Sequence, residues 1–180
     1  MDFSAKIWDI ETGKSVFDLR GHQGEVVALG FTNDGDRLIT GSFDHTARIW
    51  DLKSGQCIDS LEEHTQEISN ALFEFAGDYA ATSSLDKQVI LWDLRQQKSL
   101  HAFRDHQDEV LDIAFNATGT LLCSVSADTT GRIYSVGERQ TVAVMSGHQG
   151  SVSKVVFNPQ GKKVLTCSED NTCRIWNLEG

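Results

Sequence analysis

One proline in 180 residues, Pro159, leaves the turns of this chain to 15 glycines and to Asn and Asp. Basic residues are also few: 16 Lys and Arg stand against 26 Asp and Glu, a formal net charge of −10. Such a chain repels a phosphate backbone, which argues against a nucleic-acid partner and favours basic protein partners. No basic amphipathic stretch is present to meet an anionic membrane surface. No apolar run is long enough for a transmembrane helix, and Asp2, Phe3 and Ser4 follow Met1 where a signal peptide would carry a basic segment, so a cytoplasmic protein is expected. The cysteines, Cys57, Cys123, Cys167 and Cys173, form neither a CxxC pair nor a His–Cys cluster of zinc-finger spacing. No metal and no cofactor is expected, and the four are read as reduced thiols. Cys167 and Cys173 are spaced to face each other across a hairpin, without a disulfide being assigned. Finally, no stretch holds a helical period through three turns.

What the chain does have is a repeat. His22, His64, His106 and His148 recur every 42 residues. Trp8, Trp50, Trp92, Tyr134 and Trp176 keep the same spacing, as do Asp2, Asp44, Asp86, Asp128 and Asp170, and also Gly35, Gly77, Gly119 and Gly161. After each His comes an alternating apolar segment (EVVALGF, EISNALF, EVLDIAF, SVSKVVF) and a glycine turn (NDGD, FAGD, NATG, NPQG). A second strand follows (RLITGS, YAATSS, LLCSVS, KVLTCS), then a tight turn at the Asp, and a third (ARIWDL, VILWDL, GRIYSV, CRIWNL). A fourth closes the unit (CIDSLE, SLHAF, TVAVM). Short period-2 runs with evenly spaced turns predict an all-β repeat array.

A Gly-His pair or its variant (Gly21-His22, Glu63-His64, Asp105-His106, Gly147-His148) with Trp-Asp near the end of the unit resembles the WD-repeat family. The resemblance implies a β-propeller of four-stranded blades. It also implies a hydrogen-bonded network in each blade: His22, Thr40 (or Ser42), Asp44 and Trp50; His64, Thr82, Asp86 and Trp92; His106, Ser124, Asp128 and Tyr134; His148, Thr166, Asp170 and Trp176. Asp, His and hydroxyl are the residue types of a hydrolase triad, but catalysis needs one such set in one cleft, and no GxSxG elbow is present. Four equivalent sets are read as structural, and the protein as no enzyme. In one unit Tyr134-Ser135 replaces Trp-Asp, and that blade is expected to be less well fastened.

By the same alignment residues 1–20 are a half blade, residues 21–62, 63–104 and 105–146 are full repeats, and residues 147–180 are a repeat without its last strand. The resemblance implies a closed ring of more than four blades, so an open arc of about four blades, a fragment of a larger propeller, is expected. Its open strand edges allow self-association. Family contact positions on the top face fall at Glu25, Glu67, Glu109 and Ser151, at Val27, Ser69, Leu111 and Ser153, and at Phe43, Leu85, Ala127 and Glu169. They give an acidic arc with apolar neighbours, suited to a basic or amphipathic segment.

The stretches GHQGEVVALGFTNDGDRLITGSFDHTARIWD, DEVLDIAFNATGTL, SADTTGRIYS and DNTCRIW resemble more narrowly the WD-repeat factors that assemble outer-arm dynein in cilia and flagella. That resemblance implies a cargo adaptor between outer-arm dynein and an intraflagellar transport subunit, placed in the cytoplasm, the cilium or flagellum and the basal body. The alternative left open is a generic WD-repeat scaffold, or a substrate receptor in a ubiquitin-ligase, signalling or RNA-processing assembly.

Overall fold

The glycine turns decide the backbone first. Gly35, Gly77, Gly119 and Gly161 stand at φ of 68–76°, a region that costs a residue with a Cβ. Each donates its N–H to the carbonyl three residues back, at 2.9–3.0 Å, and the chain reverses into its next strand.

The computed structural model describes residues 2–178, and the regular elements among them are β-strands. The first sheet pairs β1 (Ser4–Trp8) with β2 (Ser15–Arg20). The second runs β3 (Val26–Phe31), β4 (Arg37–Ser42), β5 (Ala47–Asp51) and β6 (Gln56–Leu61). The third runs β7 (Ile68–Phe73), β8 (Tyr79–Ser84), β9 (Val89–Asp93) and β10 (Lys98–Phe103). The fourth runs β11 (Val110–Phe115), β12 (Leu121–Ser126), β13 (Gly131–Ser135) and β14 (Gln140–Met145). The fifth has β15 (Val152–Phe157), β16 (Lys163–Ser168) and β17 (Cys173–Asn177). Within every sheet each strand pairs antiparallel with its sequence neighbour, as short turns require.

The sheets are blades stacked face to face in chain order, forming an open arc. Between the second and third, Ala28, Ile39 and Ile49 pack against Ile68, Ala71 and Phe73. Leu91, Phe103, Ile113 and Tyr134 fill the next junction, and Ile133, Met145, Val155 and Val164 the last. Each large apolar side chain buried this way contributes about 1.5–3 kcal/mol. The ends of the arc show what a junction covers. Leu29 is 64% exposed, whereas its counterpart Ala71 is 0% exposed; Ile175 is 68% exposed, whereas Ile49, Leu91 and Ile133 are 0–2% exposed.

A polar ladder crosses the first strands of three sheets, at a position the sequence reading did not single out. Asn70 Nδ2 donates to Asp112 Oδ1 at 2.5 Å, and Asp112 Oδ2 accepts from the Val155 amide at 3.1 Å. Lys154 Nζ lies 3.5 Å from the same carboxylate. Asn70, Asp112 and Lys154 keep the repeat spacing, so Asn70 and Asp112 each reach the equivalent strand of the next blade. Asp112 is 4% exposed, and a buried carboxylate is tolerable only with donors of this kind.

The turn between second and third strands bends through a left-handed residue in each complete hairpin: His45, Lys87, Thr129 and Asn171, at φ of 64–72°. Asn adopts that region readily, whereas a β-branched residue is strained there. Thr129→Asn is therefore expected to raise stability by about 1 kcal/mol, read as a higher urea midpoint with an unchanged denaturant slope.

Candidate functional site

Each blade ends in a buried imidazole held on both sides. His22, His64, His106 and His148 are 4–7% exposed. Their Nδ1 atoms lie 2.8–2.9 Å from Asp44, Asp86, Asp128 and Asp170. Their Nε2 atoms lie 2.7–2.8 Å from the hydroxyls of Thr40, Thr82, Ser124 and Thr166. A carboxylate only accepts, so a neutral ring donates from Nδ1 and accepts the hydroxyl proton at Nε2. The hydroxyl's own lone pair then receives the indole N–H of Trp50, Trp92 or Trp176 at 2.9 Å. Of the two hydroxyls that the sequence left open in the second sheet, the structure uses Thr40.

Tyr134 corrects the expectation of a looser blade. Its hydroxyl sits 3.0 Å from Ser124 Oγ, in the place of the indole N–H. Its ring stacks on Phe103 of the preceding blade with centroids 4.1 Å apart, and the residue is fully buried. The network is closed by a phenol, and the smaller ring gains an aromatic neighbour.

The sequence also contained a second set of hydroxyls with a role of its own. Ser42, Ser84, Ser126 and Ser168 accept the amide N–H of the turn aspartate at 3.0–3.1 Å. Ser84, Ser126 and Ser168 donate in turn to the carbonyls of Gln66, Asp108 and Gly150. The aspartates are pinned as well. Their Oδ2 atoms accept from the amides of Gln23, Thr65, Gln107 and Gln149, and their Oδ1 atoms accept from within the turn. Burial alone would raise the Asp44 carboxyl, but the Gln23 amide, Thr46 and His22 outweigh it and bring it down to about 2. Asp86, Asp128 and Asp170 are likewise held below the usual carboxylate range. Burial lowers His22, with Asp44 opposing.

This geometry is unsuited to hydrolysis. The four hydroxyls are 0–1% exposed and are already bonded to an imidazole and an aromatic donor, so no substrate carbonyl reaches them. Among the described residues no cluster of three or more His, Cys, Asp or Glu is arranged to hold a metal.

What the networks do is aim the top-face loops. Phe43 N–H donates to the Glu25 carbonyl, Leu85 to Glu67, Ala127 to Glu109 and Glu169 to Ser151, all at 2.9–3.0 Å. Two of the three predicted contact series are thereby joined, pairing an acidic residue with a different neighbour on each blade. Phe43, Glu109 and Glu169 are exposed, and Glu25, Glu67, Leu85 and Ser151 are half-buried. Lys87 interrupts the acidic run, bonding the Gln107 carbonyl at 2.8 Å. In the remaining series one residue reaches across a junction. Ser69 donates to the Val110 carbonyl of the next blade at 2.6 Å, and Ser153 Oγ lies 3.4 Å from the Cys167 carbonyl. Leu111 is half-buried, and Val27 stands exposed at the arc's first face. A cavity of about 250 Å³ opens beside Glu25, lined also by Asp2, Phe3, Ser4 and Val26.

A sequence model of the WD domain, G-beta repeat, matches residues 13–51, 55–93, 97–135 and 139–177. The chain belongs to the WD-repeat family. Each matched WD repeat starts before the last strand of one blade and ends with the third strand of the next, so every repeat straddles a junction. A comparison with curated proteins gives no match.

Two outcomes follow from the networks. Thr82→Val leaves the Trp92 indole without an acceptor and His64 without its hydroxyl donor, and is expected to cost about 2–3 kcal/mol in urea unfolding. Acid is expected to act in two windows. The unfolded chain protonates its histidine first, so His22 contributes stability above its ordinary 6.5 that is lost as the pH falls below it. Asp44 contributes stability above its ordinary 3.8 that is lost as the pH falls toward about 2. Asp44→Asn is expected to remove the Asp44 share of the lower window of a urea-midpoint profile and, since the carboxylate opposes burial at His22, to extend the upper window to lower pH.

Proposed function

We propose that this WD-repeat chain is a non-catalytic protein-interaction scaffold whose top face docks a basic, amphipathic segment. The observation that carries this reading is the pairing of acidic and apolar loop positions on consecutive blades: Glu25 with Phe43, Glu67 with Leu85, and Glu109 beside Ala127. Carboxylates at these loop positions, exposed at Glu109 and half-buried at Glu25 and Glu67, steer a basic segment, and a neighbouring aromatic or aliphatic side chain fixes its register. The cavity beside Glu25 carries the same chemistry, with Asp2 and Glu25 flanking Phe3 and Val26. WD-repeat membership supports the scaffold role in general terms.

The finer reading is a cargo adaptor for outer-arm dynein assembly and intraflagellar transport in cilia or flagella. Its support is the likeness of the GHQGEVVALGF, DEVLDIAF and DNTCRIW stretches, and of the Tyr134-Ser135 blade, to that group of WD-repeat factors. In this reading the chain works in the cytoplasm and at the basal body.

The test is affinity capture from ciliated-cell cytosol, read by mass spectrometry, with the chain and with a Glu25→Lys, Glu67→Lys, Glu109→Lys triple variant. Recovery of outer-arm dynein or transport subunits by the chain, reduced at least about tenfold in the variant, is the expected result. Alongside it, a fluorescent basic amphipathic peptide is expected to bind the chain with an affinity that falls as salt rises, and to ignore the variant. Peptide binding without dynein or transport subunits would retain the scaffold and remove the ciliary role. Equal peptide binding by both proteins would remove the acidic face as the docking site.

A further inference from the structure

Cys167 and Cys173 meet across the last hairpin with their Sγ atoms 2.9 Å apart. They are direct register partners on β16 and β17. The next pair outward is hydrogen-bonded, with Ser168 N–H donating to the Thr172 carbonyl, so the cysteines occupy the adjacent non-hydrogen-bonded position. Opposed Cα atoms there approach to about 4.5 Å, within the span of about 4.4–6.8 Å that a disulfide bridges. The equivalent pairs in the preceding blades are Gly41 with Ala47, Ser83 with Val89, and Val125 with Gly131. Those pairs are buried beneath the next blade. In the fifth sheet Cys167 is half-buried and Cys173 exposed.

We propose that Cys167 and Cys173 form a redox modification site, a dithiol that closes to a disulfide by exchange with a low-molecular-weight disulfide of the glutathione class. The Cys173 thiolate, the more exposed, attacks one sulfur of that disulfide and releases one glutathione thiolate. The Cys167 thiolate then attacks Cys173 Sγ and releases the second. One external disulfide is reduced to two thiols, two protein thiols are oxidised to one disulfide, and the two protein protons pass to solvent and the departing thiolates. The hydrogen bond with Cys173 holds the Cys167 thiol above its ordinary range, which fits its place as the second attacker. The bond would cross-link the two strands that flank the turn carrying Glu169 and Asp170. The remaining cysteines give an internal contrast. Cys57 is exposed with no thiol opposite, and Cys123 is buried, which pushes its thiol far up.

The test uses the full chain in a series of glutathione redox buffers, quenched by acid, alkylated and mapped by mass spectrometry. Circular dichroism confirms that the β-structure is intact. The expected result is a peptide containing Cys167 and Cys173 that loses two hydrogens and takes up no alkylating agent, while Cys57 alternates between free thiol and glutathione adduct and Cys123 stays reduced. Pre-organisation by the hairpin is expected to let the folded chain close at a glutathione ratio about tenfold more reducing than the urea-unfolded chain needs. Cys167→Ser is expected to trap Cys173 as the glutathione adduct. A dithiol that stays reduced in every buffer, or a wild-type chain that accumulates the adduct as the variant does, would overturn the proposal. Equal closure in the folded and unfolded chains would remove the hairpin's role and overturn it as well.

Discussion

A buried imidazole that needs a carboxylate on one nitrogen and a hydroxyl on the other is the constraint on which this structure depends. His22, His64, His106 and His148 each tie the loop entering a blade to a turn and a strand of that blade. Because the carboxylate only accepts, the proton pattern of the whole network is determined down to the aromatic donor. The network is intolerant of partial loss, since each member left alone in an apolar junction is an unpaired polar group. It accepts a change of chemistry that preserves pairing, as Tyr134 on Ser124 shows.

With the turns pinned in this way, the rest of the architecture is repetition. Each blade offers one apolar face to its predecessor and one to its successor, and the core clusters lie in the junctions. The WD repeat straddling two blades makes every junction covalent as well as hydrophobic. The same pinning carries function outward. The turn that holds the aspartate also holds Phe43, Leu85, Ala127 and Glu169 against the loops bearing Glu25, Glu67, Glu109 and Ser151. A rigid interior thus places a variable set of surface side chains, which is what an interaction scaffold requires.

Much of this was legible because the fold is a repeat. The spacing of the His, Asp, Gly and aromatic residues located the turns and the strands, and the resemblance to the WD-repeat family implied the members of each network. The misses have specific causes. Ser69 falls on a family contact position five residues after the His, but its hydroxyl bonds the Val110 carbonyl across the junction. The bridge from Asn70 through Asp112 to Lys154 keeps the repeat spacing yet uses three different residue types, so no identity marked it. Local sequence predicts a less well fastened blade at Tyr134, since it does not reveal that Phe103 of the previous blade stacks on the ring.

The division between sequence and structure follows from the range of the forces involved. Alternation, glycine turns and a fixed period are local, and they determined by themselves that the chain is all-β, repeated and built in four-stranded units. Partner choice across a junction is a property of two surfaces in contact. Only the tertiary structure decided that Thr40 rather than Ser42 meets His22, and that Ser69 turns inward while Phe43 stays in solvent.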